Sequence, residues 1–375
     1  MASKKIQIIA FNNPYPVNYG GVIDVFYKIE ALKEIGYQVY LHIFYDDRVN
    51  ISVLEKLCEE VYLYKRNKLF YNFFSLIPFS VKSRNSKELY ARITNKTNIP
   101  VLFESIQTTY ILKKFHFNNE TLVRTHNIEH EYYFGIAKSE SCFFKKLIFY
   151  IEGWKLKRYQ SVLKKADIIL TLSERDTSYF NSIFKGKTLF LPVFHGNKKV
   201  KETMNSKSKF ALYHGDLSIS DNVESAIFIC SLFYNLKQEL VIASSVLPNR
   251  IKKIIKNYSN IKYINIREEE VLEDLLAKAH VNILVSLQES GTKLKVFNAL
   301  YKGKYCIVNA NIVDDKNILK LCYVANTKSE FQKSIQEIFG KDYQFSSERA
   351  RVLKNYESLN LVKKLSYYLE TNKIT

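Results

Sequence analysis

Glycine and proline are scarce in this chain, 11 and 6 in 375 residues, which excludes a collagen-like or linker-rich low-complexity protein. The 5 cysteines, Cys58, Cys142, Cys230, Cys306 and Cys322, are odd in number and include no Cys-x-x-Cys pair. That pattern excludes a secreted-type disulfide framework and a Cys-ligated zinc site. There is no Asp-x-Asp tripeptide and no His/Cys cluster at ligand spacing, so neither metal nor cofactor is expected. Long apolar runs are missing too. Nothing approaches the ~20 residues of a spanning helix, and the apolar run of MASKKIQIIAF is too short for a signal peptide. The expected location is a reducing cytoplasm.

What remains is globular: 47% hydrophobic, 25% charged, and long enough for two α/β cores. The net charge is +19, and the excess leans toward the first half. Its densest stretch is 61–87, where Lys65, Arg66, Lys68, Lys82, Arg84 and Lys87 surround an apolar centre with no acid. Such a stretch suits nucleic acid, a phosphate-bearing substrate or an anionic membrane surface, the last with the protein peripheral on the inner face of the cell membrane. The plainer reading is a buried helix with a solvated basic rim and Phe73, Phe74 and Phe79 in the core. The helix near 143–158 mixes aromatics with lysines and divides the same way, between core packing with snorkelling lysines and a membrane.

The order of elements is informative. KIQIIAFNN reads as a strand and NPYPVNYGG as a turn. Val22, Val25, Phe26, Ile29 and Leu32 then recur at helical spacing up to Gly36, and YQVYLHIFY is a second strand. Gly20 and Gly21 open that helix, where a bound group can approach the backbone at a positive helix end. IPVLFES, TLVRTH, ADIILTLS and KTLFLP continue the alternation. A polar, basic stretch at 197–209 reads as a linker, after which the pattern restarts with KFALYHGDLS, LVIASS, IKYINI, VNILVSLQ and KYCIVN. Alternation of this kind predicts doubly wound parallel sheets with right-handed crossovers, and ligands outside the carboxyl ends of the strands. Gly20, Gly21, His126, His214, Gly215 and the run from Glu289 to Lys295 fall at such ends. The domains are expected at 1–200 and 201–345, with 346–375 a C-terminal helix returning to the first.

The block AHVNILVSLQESGTKLKVFNALYKGKYCIVN resembles the signature of the large retaining family of GT-B glycosyltransferases of bacterial cell-surface glycan assembly. YHGDLSISDNVESAIF is similar to that family's second-domain start, and PYPVNYGGVIDVFYKIEALKEIG to its first-domain Gly loop. WKLKRYQSVLKKADIILTLSERD resembles the segment that closes the first domain. The resemblance implies two Rossmann-like domains across a cleft and transfer of a sugar, a hexose, from a nucleotide sugar to a lipid-linked or glycan acceptor, with retention and without metal. It implies a donor site of Gly20, Gly21, Gly215, Ser290, Gly291, Thr292, Lys293, Lys295 and Asn298. The lysines and a helix N-terminus would meet the leaving diphosphate. His126 and Glu289 are the implied catalytic residues. Asp24, Arg124, Asn127, Glu129 and His130 are the implied acceptor contacts.

Two positions depart from the family pattern. Asn298 stands where a ribose-binding glutamate is usual, with Ser290 at the first glutamate and Glu289 one residue out of register. No Arg/Lys pair follows Gly215. These departures motivate a second reading, a catalytically silent GT-B partner subunit. A basic nucleic-acid-binding protein is suggested by the charge alone; no module of that kind is recognisable, so no nucleic-acid partner is expected.

Overall fold

The computed structural model describes residues 4–46, 50–140, 142–202, 209–287 and 294–373. The chain divides into two compact units: Met1–Lys138 with Cys142–Gly196 and Tyr356–Thr375, and Ser139–Ser141 with Asn197–Asn355.

The first unit is built on β1 (Lys4–Ala10), β2 (Tyr37–Tyr45), β3 (Glu60–Lys65), β4 (Val101–Glu104), β5 (Thr121–Thr125), β6 (Ile168–Thr171) and β7 (Thr188–Phe190). They pair in the order β3-β2-β1-β4-β5-β6-β7, every pair parallel. A parallel sheet is covered on both faces, so its strands read as apolar runs. In β1, Ile6 and Ile8 pack under Val25, Ile29 and Leu32 of the helix Gly20–Glu34. Ile9 points to the opposite core with Phe103 and Val123. The C-terminal helix Ser358–Thr371 belongs to this unit: Leu361, Val362, Leu365 and Tyr368 join the first of these cores.

The second unit holds β8 (Phe210–His214), β9 (Glu239–Ser244), β10 (Ile261–Asn265), β11 (Val281–Leu284), β12 (Tyr305–Val308) and β13 (Tyr323–Val324), in the order β10-β9-β8-β11-β12-β13. These pairs are parallel as well. In both units the chain winds outward from its first strand and then returns to that strand's other side. The reversal lies between β1 and β4, and again between β8 and β11, and such a switch point is where an open α/β sheet accepts ligands.

Residues 61–87 are not the helix that the plainer reading expects. They comprise most of β3, a 3-10 turn at Phe70–Phe74 and a short helix at Phe79–Lys82. Pairing decides this: Tyr62 and Tyr64 of β3 stack on His42 of β2, with ring centroids 5.0 and 5.9 Å apart. Cross-strand aromatic contacts of that kind stabilise an edge strand.

Candidate functional site

Five ionisable side chains meet beside the switch point of the first unit. β4 ends at Glu104, Arg124 lies near the end of β5 with His126 just beyond it, and the helix Gly20–Glu34 supplies Asp24 and Lys28 one turn apart. Lys28 Nζ donates to Asp24 Oδ2 at 2.9 Å and to Glu104 Oε1 at 2.5 Å. Arg124 grips Asp24 with two bonds, of 3.1 and 2.8 Å, and the backbone N–H of Phe194 donates to the same carboxylate at 2.8 Å. Arg124 also donates to the carbonyls of Leu191 and Pro192. His126 Nε2 lies 3.2 Å from Glu104 Oε2. A carboxylate only accepts, so Nε2 carries a proton. Burial by itself would raise both carboxyls. Lys28 and His126 outweigh it at Glu104, and Arg124 and Lys28 outweigh it at Asp24, so both are held below the usual range.

Asp24, Glu104 and His126 bring one ligand atom each within 4.8 Å of one another, a juxtaposition that sequence spacing does not reveal. Lys28 and Arg124 already supply the positive charge that these carboxylates call for. Asp24 and Arg124, expected at an acceptor, have no exposed surface. They hold each other and frame Glu104 and His126. Just after Glu104, Ser105 adopts φ 68° and ψ 151°. That conformation is nearly confined to glycine and costs about 1–3 kcal/mol.

Ser105 Oγ donates to Glu129 at 3.4 Å. Burial pushes the Glu129 carboxyl up to about 6, against the pull of His126, Ser105 and Arg84. Glu129, His130, Asn127 and Thr125 line a small cavity closed by Leu156 and Phe180. The three remaining acceptor candidates are thus brought together, with Glu129 and His130 buried. Gly20 begins the helix Gly20–Glu34. At Gly21 the approaching group is a protein side chain, because a Cβ there would lie 2.7 Å from the Phe11 ring. Phe11 in turn packs edge-on against His126, with ring centroids 5.5 Å apart.

In the second unit, His214 ends β8 and Gly215 follows. Lys295 and Asn298 lie in the helix Leu294–Lys302, beyond the end of β11. Lys295 Nζ is 3.4 Å from Asn222 Oδ1 and from the Val285 carbonyl, and 5.2 Å from the Tyr213 ring centroid. Asn298 Oδ1 accepts from Asn197 Nδ2 at 3.0 Å. His214 is buried, and among the described residues neither of its ring nitrogens has a hydrogen-bond partner. Burial and then the Lys295 charge push its pKa down to about 3. Ser286 and Asn309 exchange two bonds, of 3.0 and 2.8 Å, which fix the ends of β11 and β12 together. Glu289, Ser290, Gly291, Thr292 and Lys293 lie outside the described residues.

The basic stretch 61–87 is partly consumed internally. Arg84 is buried and donates to the Phe11 and Ser80 carbonyls. Arg66 and Lys68 both pair with Asp46. Phe74 is 78% exposed, so it is not a core residue, while Phe73 and Phe79 are half-buried and stack at 4.0 Å. Lys28 and Glu104 are participants that the sequence reading does not single out, whereas His214 is marked there by its place at a strand end, without a role. Their signals are an Asp-x-x-x-Lys pair on an apolar helix face, and a charged or imidazole side chain closing an apolar strand.

Two parallel-sheet α/β units, each with candidate ligand-binding groups at the carboxyl ends of its strands, are the GT-B architecture. Solved structures agree over the full length. The chain matches a glycosyltransferase from Rickettsia africae at 16% identity and TM-score 0.67, covering 100% of both chains. It matches Anabaena HepE, solved with UDP and glucose, at 11% identity and TM-score 0.63, covering 98% of this chain and 100% of that one. In sequence it is 27% identical over 324 residues to an uncharacterized 44.6 kDa protein in the cps region of Klebsiella pneumoniae, 81% of this chain and 82% of that one. No family model matches the chain.

Proposed function

We propose that the protein is a glycosyltransferase of surface-polysaccharide synthesis. It takes a hexosyl group from a nucleotide sugar and passes it, with retention and without metal, to a lipid-linked or glycan acceptor. The observation that carries this reading is the placement of Lys295 and His214 at the β8/β11 switch point, within a fold shared along its whole length with glycosyltransferases. A nucleoside diphosphate there meets a lysine in the first turn of a helix, where charge and backbone N–H groups stabilise the leaving phosphate. The neighbouring sequence run Glu289–Lys293 would extend that contact. In the first unit, His126 is held through Nε2 by Glu104, and Glu129 titrates near neutrality. The pair suits proton exchange with an acceptor hydroxyl. The relative in a cps region supports a polysaccharide context.

The test is calorimetric titration with UDP and other nucleoside diphosphates. Lys295→Ala is expected to weaken binding at least about tenfold, the worth of a charge-assisted contact, while the fold survives. Unchanged affinity removes the donor site from Lys295. Transfer that persists in excess EDTA, with an anomer matching the donor in the product spectrum, completes the reading. The silent-subunit alternative draws on Asn298, whose carbonyl is already engaged by Asn197. Nucleotide binding without any transfer or donor hydrolysis would favour it.

A further inference from the structure

We propose that one face of the first unit, formed by the helix Phe143–Tyr159 and the turn Leu69–Leu76, docks on an anionic lipid bilayer. The helix turns large apolar side chains outward. Glu152, Gly153, Leu156 and Tyr159 are buried, and Gly153 lies so close to the Phe134 ring that a Cβ would stand 2.6 Å from it. On the opposite side Phe143, Phe144, Leu147, Ile148, Ile151 and Trp154 recur at helical spacing, and Phe143, Phe144 and Trp154 are 72%, 76% and 62% exposed. Leu69, Phe70, Tyr71, Phe74 and Leu76 of the turn are exposed as well. Lys155 Nζ donates to the Phe73 carbonyl of the turn at 2.7 Å, and just past the turn the Phe79 N–H donates to Glu152 at 2.7 Å. Of the 20 large apolar side chains exposed among the described residues, 12 lie on these two segments, so this is one surface and not scatter. Apolar surface concentrated in this way marks an interaction site.

Charge selects the occupant. Glu152 is the one acid between Phe143 and Tyr159, and it is buried against Lys155. Lys145, Lys146, Lys157 and Arg158 share the helix, Lys65 is exposed beside the turn, and 61–87 contains no acid. A second copy of this chain would set lysines against lysines. An anionic headgroup layer complements them, each basic residue adding to binding at its surface. Trp154, Tyr150 and Tyr71 are the aromatics that settle at a membrane interface. No helix among the described residues is long and apolar enough to cross a membrane, so the contact is with one surface. A 17-residue helix lying flat presents about 26 Å of apolar edge to it.

Trp154 is the chain's single tryptophan, so its fluorescence reports this face directly. The full chain is mixed with vesicles of phosphatidylglycerol and phosphatidylcholine, or of phosphatidylcholine alone. The expected result is sedimentation with the anionic vesicles, weakened by salt, together with a blue shift of Trp154 emission. Lys145→Glu with Lys146→Glu should lower the partition at least about tenfold. Phe143→Ser with Phe144→Ser should abolish it, with circular dichroism and thermal unfolding unchanged. Recovery in the supernatant with unshifted emission overturns the proposal. So does a dimer by light scattering that the double serine variant dissolves. Neither readout involves a nucleotide, so failure here leaves the sugar-transfer reading intact.

Discussion

At the carboxyl end of the first sheet, Asp24, Lys28, Glu104 and Arg124 have no exposed surface, yet each charge is matched by another at 2.5 to 3.1 Å. At the equivalent end of the second sheet, His214 is buried, and among the described residues neither of its ring nitrogens has a hydrogen-bond partner. The two ends occupy the same place in the same topology and differ in electrostatic state. A closed set of buried ion pairs fixes geometry, and in the first unit it positions His126. An unpaired buried polar group costs about 1–3 kcal/mol until something bonds to it. The second end therefore retains hydrogen-bonding capacity that a polar ligand can use, which agrees with its proposed role as the donor site.

The largest expected effect tests the closed set. Lys28→Met leaves Glu104 with His126 as its remaining partner, and breaking a buried pair costs about 3–5 kcal/mol. Urea unfolding should show this loss, while Lys295→Met should leave stability nearly unchanged. Equal losses would break the contrast between the two ends.

The next test uses pH. His214 has a folded pKa of about 3, below the ~6.5 of an unfolded histidine, so only the unfolded chain takes up a proton between those values. Stability is complete above pH 6.5 and falls by about 1.4 kcal/mol per unit as the pH drops toward 3. His214→Leu should remove that slope, about 3 kcal/mol between pH 6.5 and 4.5. His42, pushed to about 3 by burial in β2, continues to impose its own slope and serves as the control. An unchanged acid limb in the His214 variant would show that this imidazole is solvated.

A smaller effect of opposite sign belongs to Glu129. Its folded pKa of about 6 exceeds the unfolded value, so its stability contribution is full below pH ~4.5 and is lost as the pH rises through 6. Glu129→Gln should therefore gain about 2 kcal/mol at pH 8 and little at pH 4. A gain that is the same at both pH values would mean that the carboxylate is not buried as described.

The alternation of strands and helices was legible because each element announces itself locally. YQVYLHIFY is too continuously apolar for a half-exposed strand, and Val22, Val25, Ile29 and Leu32 mark a helix face. The carboxyl-end positions of Gly215 and His126 followed from the same alternation. β3 was harder to see. Its residues, EVYLYK, carry no clean period, and they become a strand through Tyr62 and Tyr64 stacking on His42. The helix Phe143–Tyr159 was legible as a helix, but its mixed composition could not say which side faces inward. That was set by the Phe134 ring pressed against Gly153.

What the sequence determined by itself was the winding: period and turn residues act within a few positions of one another, and two successive sets of them dictate two parallel sheets. Tertiary structure decided which charges meet. Asp24 and Arg124 are 100 residues apart, and Lys28 and Glu104 are 76 apart. No local pattern couples such positions. They pair because β1, β4 and β5 lie side by side and bring their carboxyl ends to the helix Gly20–Glu34, in a dry interior where a charge persists only beside its opposite.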